Sequence, residues 1–167
     1  MNEKTKYYIK KLDLIKHPEG GYFKEIYRAN EIYYVDQPKK TIKRNASTSI
    51  YFLLDGRQVS KFHRLKSDEL WHFYDGSAIK LYVINSDGEF STFLLGNDLG
   101  NGELFQLVIK KNSWFAAEVM DKKSYSLIGC TVSPGFDFTD FELASRKNLM
   151  DQFPNYKVEI LRFTNPG

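Results

Sequence analysis

The chain has 167 residues, 42% of them apolar, which is enough for one substantial core and points to a single domain over 1–167. Its 24 basic and 21 acidic residues leave a formal charge of +3, without the broad basic stripe of a nucleic-acid binder, and one cysteine excludes an internal disulfide or a multi-cysteine zinc site. No stretch has the apolar length of a membrane span and the amino terminus lacks a signal-peptide pattern, so the expectation is a cytoplasmic protein with no nucleic-acid and no membrane partner.

In chain order, TKYYIKKLDLI (residues 5–15) places Tyr8, Leu12 and Ile15 at helical spacing, and His17-Pro18-Glu19-Gly20-Gly21 stops the helix in a turn. The most basic run, QPKKTIKRN, holds Lys39, Lys40, Lys43 and Arg44 and reads as a solvated loop. Nine short alternating or apolar runs make up the body: YFKEIYRA, SIYFLL, QVSKFHRL, LWHFYDG, IKLYVI, EFSTFLL, LFQLVIK, SWFAAEV and SYSLIGCTV. Turn residues such as Asp55-Gly56, Asp87-Gly88 and Asn101-Gly102 punctuate them, and no helical stretch intervenes, so the predicted class is all-β, an antiparallel jelly roll or barrel. In the tail, TDFELASRKNLMDQFP mixes Leu143, Leu149 and Phe153 with charge, as in a short amphipathic helix stopped by Pro154 and packed outside the barrel.

The densest chemistry lies in FHRLKSDELWHFYDG, residues 62–76. If QVSKFHRL and ELWHFYD are neighbouring strands, alternation puts Val59, Lys61, His63 and Leu65 on one face with Glu69, Trp71 and Phe73, and turns His72 to the other. His63 and Glu69 then touch, as an acid/base pair in an aromatic cavity or as a mutually satisfied core pair. Trp71, Phe73, Trp114 and Phe115 serve either as a stacking platform for a planar or sugar-like ligand or as plain core. Cys130 reads as a buried small hydrophobe, His17 as a turn residue, and Glu25 as a side chain pointing into the barrel mouth. Asp137 and Asp140 follow the last barrel strand, where they rim the cavity, supply a base or, in the simpler role, cap a helix, with Asp140 placed ahead of the tail helix.

Gly56, His63, Glu69 and Gly76 fall on the first sequence motif of the cupins, with Leu65 at the position of that motif's second histidine. KKNSWF resembles the second motif, with Lys110 and Asn112 at its proline and glycine positions and Phe115 near its histidine. More narrowly, HPEGGYFKE, FHRLKSDELWHFYDG, SWFAAEV and SLIGCTVSPGFDFTDFELASR resemble the small cupin-5 family, and these runs span nearly the whole chain. The resemblance implies a double-stranded β-helix barrel with short flanking helices, a homodimer, and a ligand cavity at the open end. It also implies a more distant similarity to sugar-nucleotide 3,5-epimerases. In those enzymes a histidine at the His63 position abstracts a proton beside a carbonyl, and a lysine at the Glu69 position steadies the enolate. An anionic Glu69 would repel that enolate.

With Leu65 and Phe115 at two of the three metal-histidine positions, no metal and no cofactor is assigned. The resulting expectation is a small polar or sugar-like ligand held by His63 and Glu69, with Lys61, Trp71, Phe73, Phe115, Glu25 and Asp137 shaping its surroundings. Three activities fit: metal-independent isomerisation or epimerisation, non-catalytic ligand binding, or a metal enzyme that recruits His72 through a strand bulge.

Overall fold

The computed structural model describes residues 1–37 and 40–166. After helix α1 (Glu3–Lys11), thirteen strands follow in order: β1 (Ile15–Lys16), β2 (Tyr22–Arg28), β3 (Ile32–Gln37), β4 (Lys40–Asn45), β5 (Thr48–Asp55), β6 (Val59–Arg64), β7 (Asp68–Gly76), β8 (Ile79–Ile84), β9 (Phe90–Leu95), β10 (Gln106–Ile109), β11 (Trp114–Val119), β12 (Tyr125–Ser133) and β13 (Glu142–Leu143). Two helices, α2 (Arg146–Gln152) and α3 (Lys157–Arg162), close the chain. All nine expected strands are present, as β2 and β5 to β12. They form two facing antiparallel sheets, β1-β2-β5-β12-β7-β10 and β13-β6-β11-β8-β9, and this is a jelly roll.

One expectation about register fails. β6 and β7 are consecutive in sequence yet lie in opposite sheets, so the turn Lys66-Ser67 crosses the barrel. Side chains that were to be neighbours on one sheet instead face one another across the interior. The basic run is also not a loop: Lys40, Lys43 and Arg44 belong to β4, which pairs with β3 as a two-stranded hairpin, while Lys39 lies outside the described residues. Arg44 is mostly buried against Asp140, its Nε donating to Oδ2 at 2.6 Å.

Three apolar clusters follow from the alternation. Phe52, Leu54, Trp71, Leu81, Phe115 and Ile128 fill the space between the sheets. On the outer face of the five-stranded sheet, Phe62, Tyr82 and Trp114 meet Leu149, Ile160 and Phe163 of the tail, which is two helices rather than one. Pro154 ends α2 as expected, but the chain turns there and resumes as α3. On the outer face of the six-stranded sheet, Leu53, Tyr125 and Leu127 receive Tyr8 and Ile9 of α1 and Leu12 just after it. The Tyr8 and Tyr125 hydroxyls both donate to Asp75, at 2.6 and 2.7 Å, fixing that helix in place.

Candidate functional site

The turn His17-Pro18-Glu19-Gly20-Gly21 enters the barrel mouth before β2 and delivers two side chains inward. Gly20 has φ +120° and Gly21 φ +72°, both in the region that side chains disfavour. A Cβ on Gly20 would lie 2.2 Å from the Val59 carbonyl oxygen, so the turn backbone presses directly on β6. The Lys61 N–H donates to the Glu19 carbonyl at 2.9 Å and completes the clamp. Gly20→Ala is therefore expected to cost about 2–3 kcal/mol, read from the midpoint of urea unfolding; a loss below about 0.5 kcal/mol would show that the turn is not clamped.

The clamp buries Glu19 between two imidazoles. Glu19 Oε2 lies 3.1 Å from His63 Nε2 and 3.2 Å from His17 Nδ1, and the Ser60 hydroxyl donates to Oε1 at 2.8 Å. Ser60 and His63 both reach Glu19 because β6 carries an extra residue opposite β11: Phe115 pairs with His63 while Ala117 pairs with Ser60. That bulge breaks the alternation on which the inward placement of Lys61 rested. The Lys61 side chain does not line the cavity; its carbonyl oxygen instead lies 2.7 Å from His63 Nδ1.

His63 is thus held between two oxygens, a carbonyl that only accepts and a carboxylate that accepts when ionised. Burial pulls the His63 imidazole below its usual range, against the opposing pull of Glu19 and the Lys61 carbonyl. Burial alone would raise Glu19, but His63 and His17 outweigh it and hold the carboxyl below its usual range. A neutral imidazole and a bare carboxylate cannot both persist at 3.1 Å, since two lone pairs would then face each other. The line from Nε2 to Oε2 therefore holds one proton, and the two groups titrate as a pair.

His17 is caged by Phe23, Phe52, Phe138 and Phe141, the Phe23 ring edge-on at 4.7 Å. The Glu19 amide N–H also points at its Nδ1, at 3.4 Å. The contact with Oε2 is shorter, and a hydrogen bond from His17 is among the influences that hold the Glu19 carboxyl down, which favours the tautomer with the proton on Nδ1. No hydrogen bond among the described residues uses His17 Nε2.

Beyond this cluster lies a cavity of about 300 Å³, walled by Phe23, Ile50, Phe52, Leu65, Trp71, Val132 and the phenylalanines of the 136–141 segment. His17, Glu19, Thr48, Glu69 and Cys130 supply its inner polar surface, and Glu25, Arg28 and Asp137 its mouth. Arg28 clasps Glu25 with two hydrogen bonds of 2.9 and 2.7 Å and also donates to Asn45 and to the Phe136 carbonyl.

Glu69 lines the cavity and is buried, but the carboxylate within reach of His63 is Glu19's, and Glu69 makes no hydrogen bond or ion pair with His63. Its Oε2 is buried without a partner, as is the Trp71 indole nitrogen. Burial, and then the negative charge of Glu19, push the Glu69 carboxyl up to about 8, which favours its neutral O–H form. Trp71 and Cys130 lie near enough to temper that rise without forming a hydrogen bond of good geometry.

The remaining expected site residues divide. Trp71 and Glu25 line the cavity; Phe115 and Phe73 do not. Phe115 packs behind the site, its ring 4.0 Å from that of His63, and Phe73 packs against the inter-sheet core. Asp137 rims the mouth and also caps the short turn after it, accepting from the Thr139 amide and hydroxyl. Asp140 caps nothing: it is buried against Arg44, with Lys66 at 3.6 Å, while Ser145 precedes α2. His72 is absent from the cavity lining, and the β7 bulge falls at Tyr74, beyond it.

The cupin metal position is not furnished here. Leu65 and Phe115 offer no donor, both ring nitrogens of His63 are committed, and no group of three or more metal-ligating side chains converges among the described residues. His17, Glu19 and Arg28 were missed at the sequence level. The detectable signal was HPEGG itself, two chemistry-bearing side chains pinned by paired glycines.

Residues 6–144 match the family described as Cupin superfamily (DUF985). An uncharacterized protein of Saccharomyces cerevisiae is 33% identical over 138 residues, 76% of this chain and 68% of that protein. Among solved structures, a hypothetical protein from Leishmania major superposes with a TM-score of 0.90 at 32% identity, over 99% of this chain and 100% of that one. A protein of Shewanella oneidensis gives 0.87 at 38%, over 100% and 99%. Oxalate decarboxylase from Bacillus subtilis gives 0.57 at 13% identity, over 91% of this chain and 40% of that one, a likeness of fold.

Proposed function

The chain belongs to the Cupin superfamily (DUF985) family, and on that premise we propose that its barrel interior is a binding site for a small, neutral organic molecule with a flat or ring-shaped apolar body. The observation that carries this reading is a cavity with aromatic walls in which a buried carboxyl oxygen, Glu69 Oε2, has no partner among the described residues. At about 300 Å³ it holds roughly ten waters' worth of volume, suited to a monocyclic ligand. An anionic ligand is disfavoured, because Glu19, Glu25 and Asp137 line the site while its one guanidinium, Arg28, is already engaged by Glu25, Asn45 and Phe136.

Ligand-observed NMR with cyclohexanone and acetophenone tests this. Saturation transfer is expected to both ketones, and to disappear in Ile50→Trp, whose indole would occupy the cavity from β5. Equal transfer in that variant would place binding elsewhere and end the reading.

Isomerase chemistry is a second reading, favoured by one observation: two carboxyl groups on the same cavity whose surroundings push them in opposite directions, Glu19 down and Glu69 up.

A further inference from the structure

We propose that His17, oriented by Glu19, and Glu69 form an opposed base and acid that enolise a neutral carbonyl compound in the cavity. This rests on the binding reading above and names its substrate class.

The geometry supplies three parts. First, His17 is built as a general base: Nδ1 faces Glu19 Oε2 at 3.2 Å, leaving Nε2 as the ring nitrogen open to the cavity, and four phenylalanines fix the ring plane. Second, Glu19 is itself anchored by Ser60 and by His63, so the charge that stabilises a protonated His17 is already in place. Third, Glu69 lines the same cavity with its Oε2 unpartnered among the described residues, and its burial favours the neutral form. A neutral carboxyl is an oxyanion donor, and so the repulsion expected of an anionic Glu69 does not arise. His63, the base expected by resemblance, is ruled out by position: it does not line the cavity, and both its nitrogens are taken.

The step balances within these groups. His17 Nε2 takes the proton from the carbon beside the carbonyl, and the C–H pair becomes the C=C bond. The carbonyl π pair moves onto oxygen, which receives the proton of Glu69. The products are an enol, an imidazolium beside Glu19 and a Glu69 carboxylate; return of a proton to carbon restores both side chains.

The test follows deuterium wash-in to cyclohexanone and acetophenone in deuterium oxide, with saturation transfer measured on the same samples. Wild type is expected to exchange α-protons at least about 100-fold faster than buffer. His17→Ala should fall to the buffer rate while still binding, and added imidazole should restore part of the exchange. Glu69→Gln, which keeps an N–H donor, should retain more exchange than Glu69→Ala. Wild type that binds both ketones without exchanging them overturns the acid and base assignment and leaves the binding reading standing. Full exchange in His17→Ala without imidazole overturns the role of His17. Absence of both binding and exchange overturns the substrate class and the binding reading together.

Discussion

Glu69→Gln should abolish a loss of stability that the wild-type protein suffers as pH rises from about 4.5 to about 8. A carboxyl whose folded pKa is raised binds more protons in the native than in the unfolded state across that window, so unfolding free energy declines with pH through it. The stabilisation is fully present below the unfolded value of 4.5 and is lost as pH rises to the folded value of about 8, a span worth on the order of 5 kcal/mol. Glutamine is neutral throughout and nearly isosteric. Urea unfolding of both proteins at several pH values, followed by tryptophan fluorescence, should give curves that diverge steadily above pH 4.5, with the variant the more stable at pH 8. Parallel curves would mean that the Glu69 carboxyl titrates normally, and would remove the O–H donor on which the enolisation proposal depends. Titrating groups remote from Glu69 are common to both proteins and drop out of the difference, while Glu19, whose charge acts on Glu69, is read with it as a coupled pair.

The second large effect belongs to Glu19. Among the described residues its carboxylate is the only group that contacts both His17 and His63, and it also takes the Ser60 hydroxyl. Glu19→Ala leaves the Ser60 hydroxyl and both imidazoles without their shared partner and opens a void in the clamp, and should cost about 2–4 kcal/mol. Glu19→Gln should recover most of that loss, because the amide N–H can donate to an unprotonated His63 Nε2 while the amide oxygen accepts from His17 or Ser60. The recovery has a spectroscopic signature: in Glu19→Gln the His63 Nε2 should report a neutral imidazole that accepts the amide hydrogen, where the wild-type ring shares the single proton of the His63–Glu19 pair. Equal losses for both variants would indicate that Glu19 acts through packing, and that no proton is shared.

Much of the fold could be read because half-buried strands alternate. β5, β7, β11 and β12 bury one or both faces, and their sequences are dense in Val, Ile, Leu and aromatics. β3 and β4 went unread for the same reason in reverse. Ile32, Tyr33 and Tyr34 are all exposed, so no face of the hairpin is selected for apolarity and nothing separates it from a loop. Within the site, alternation placed Glu69 and Trp71 correctly although its premise of neighbouring strands was wrong, because the same faces point inward from either sheet. It failed at Lys61, where the β6 bulge resets the count, and a bulge is set by pairing with β11 rather than by local sequence. His17 and Glu19 were hidden because composition identifies a turn but not which of its side chains the glycines drive inward.

The Glu19 clamp joins parts of the chain that are made at very different times. The turn is synthesised with the first strands, but Ser60 and His63 arrive later on β6, and the rings that cover the imidazoles, Phe115 and Phe141, arrive later still. A nascent chain emerging from the ribosome carries His17 and Glu19 long before it carries the rings that enclose them. Contacts of such long range form late in folding. The buried surroundings of Glu19 are therefore absent from partly folded molecules and are completed only as the barrel closes.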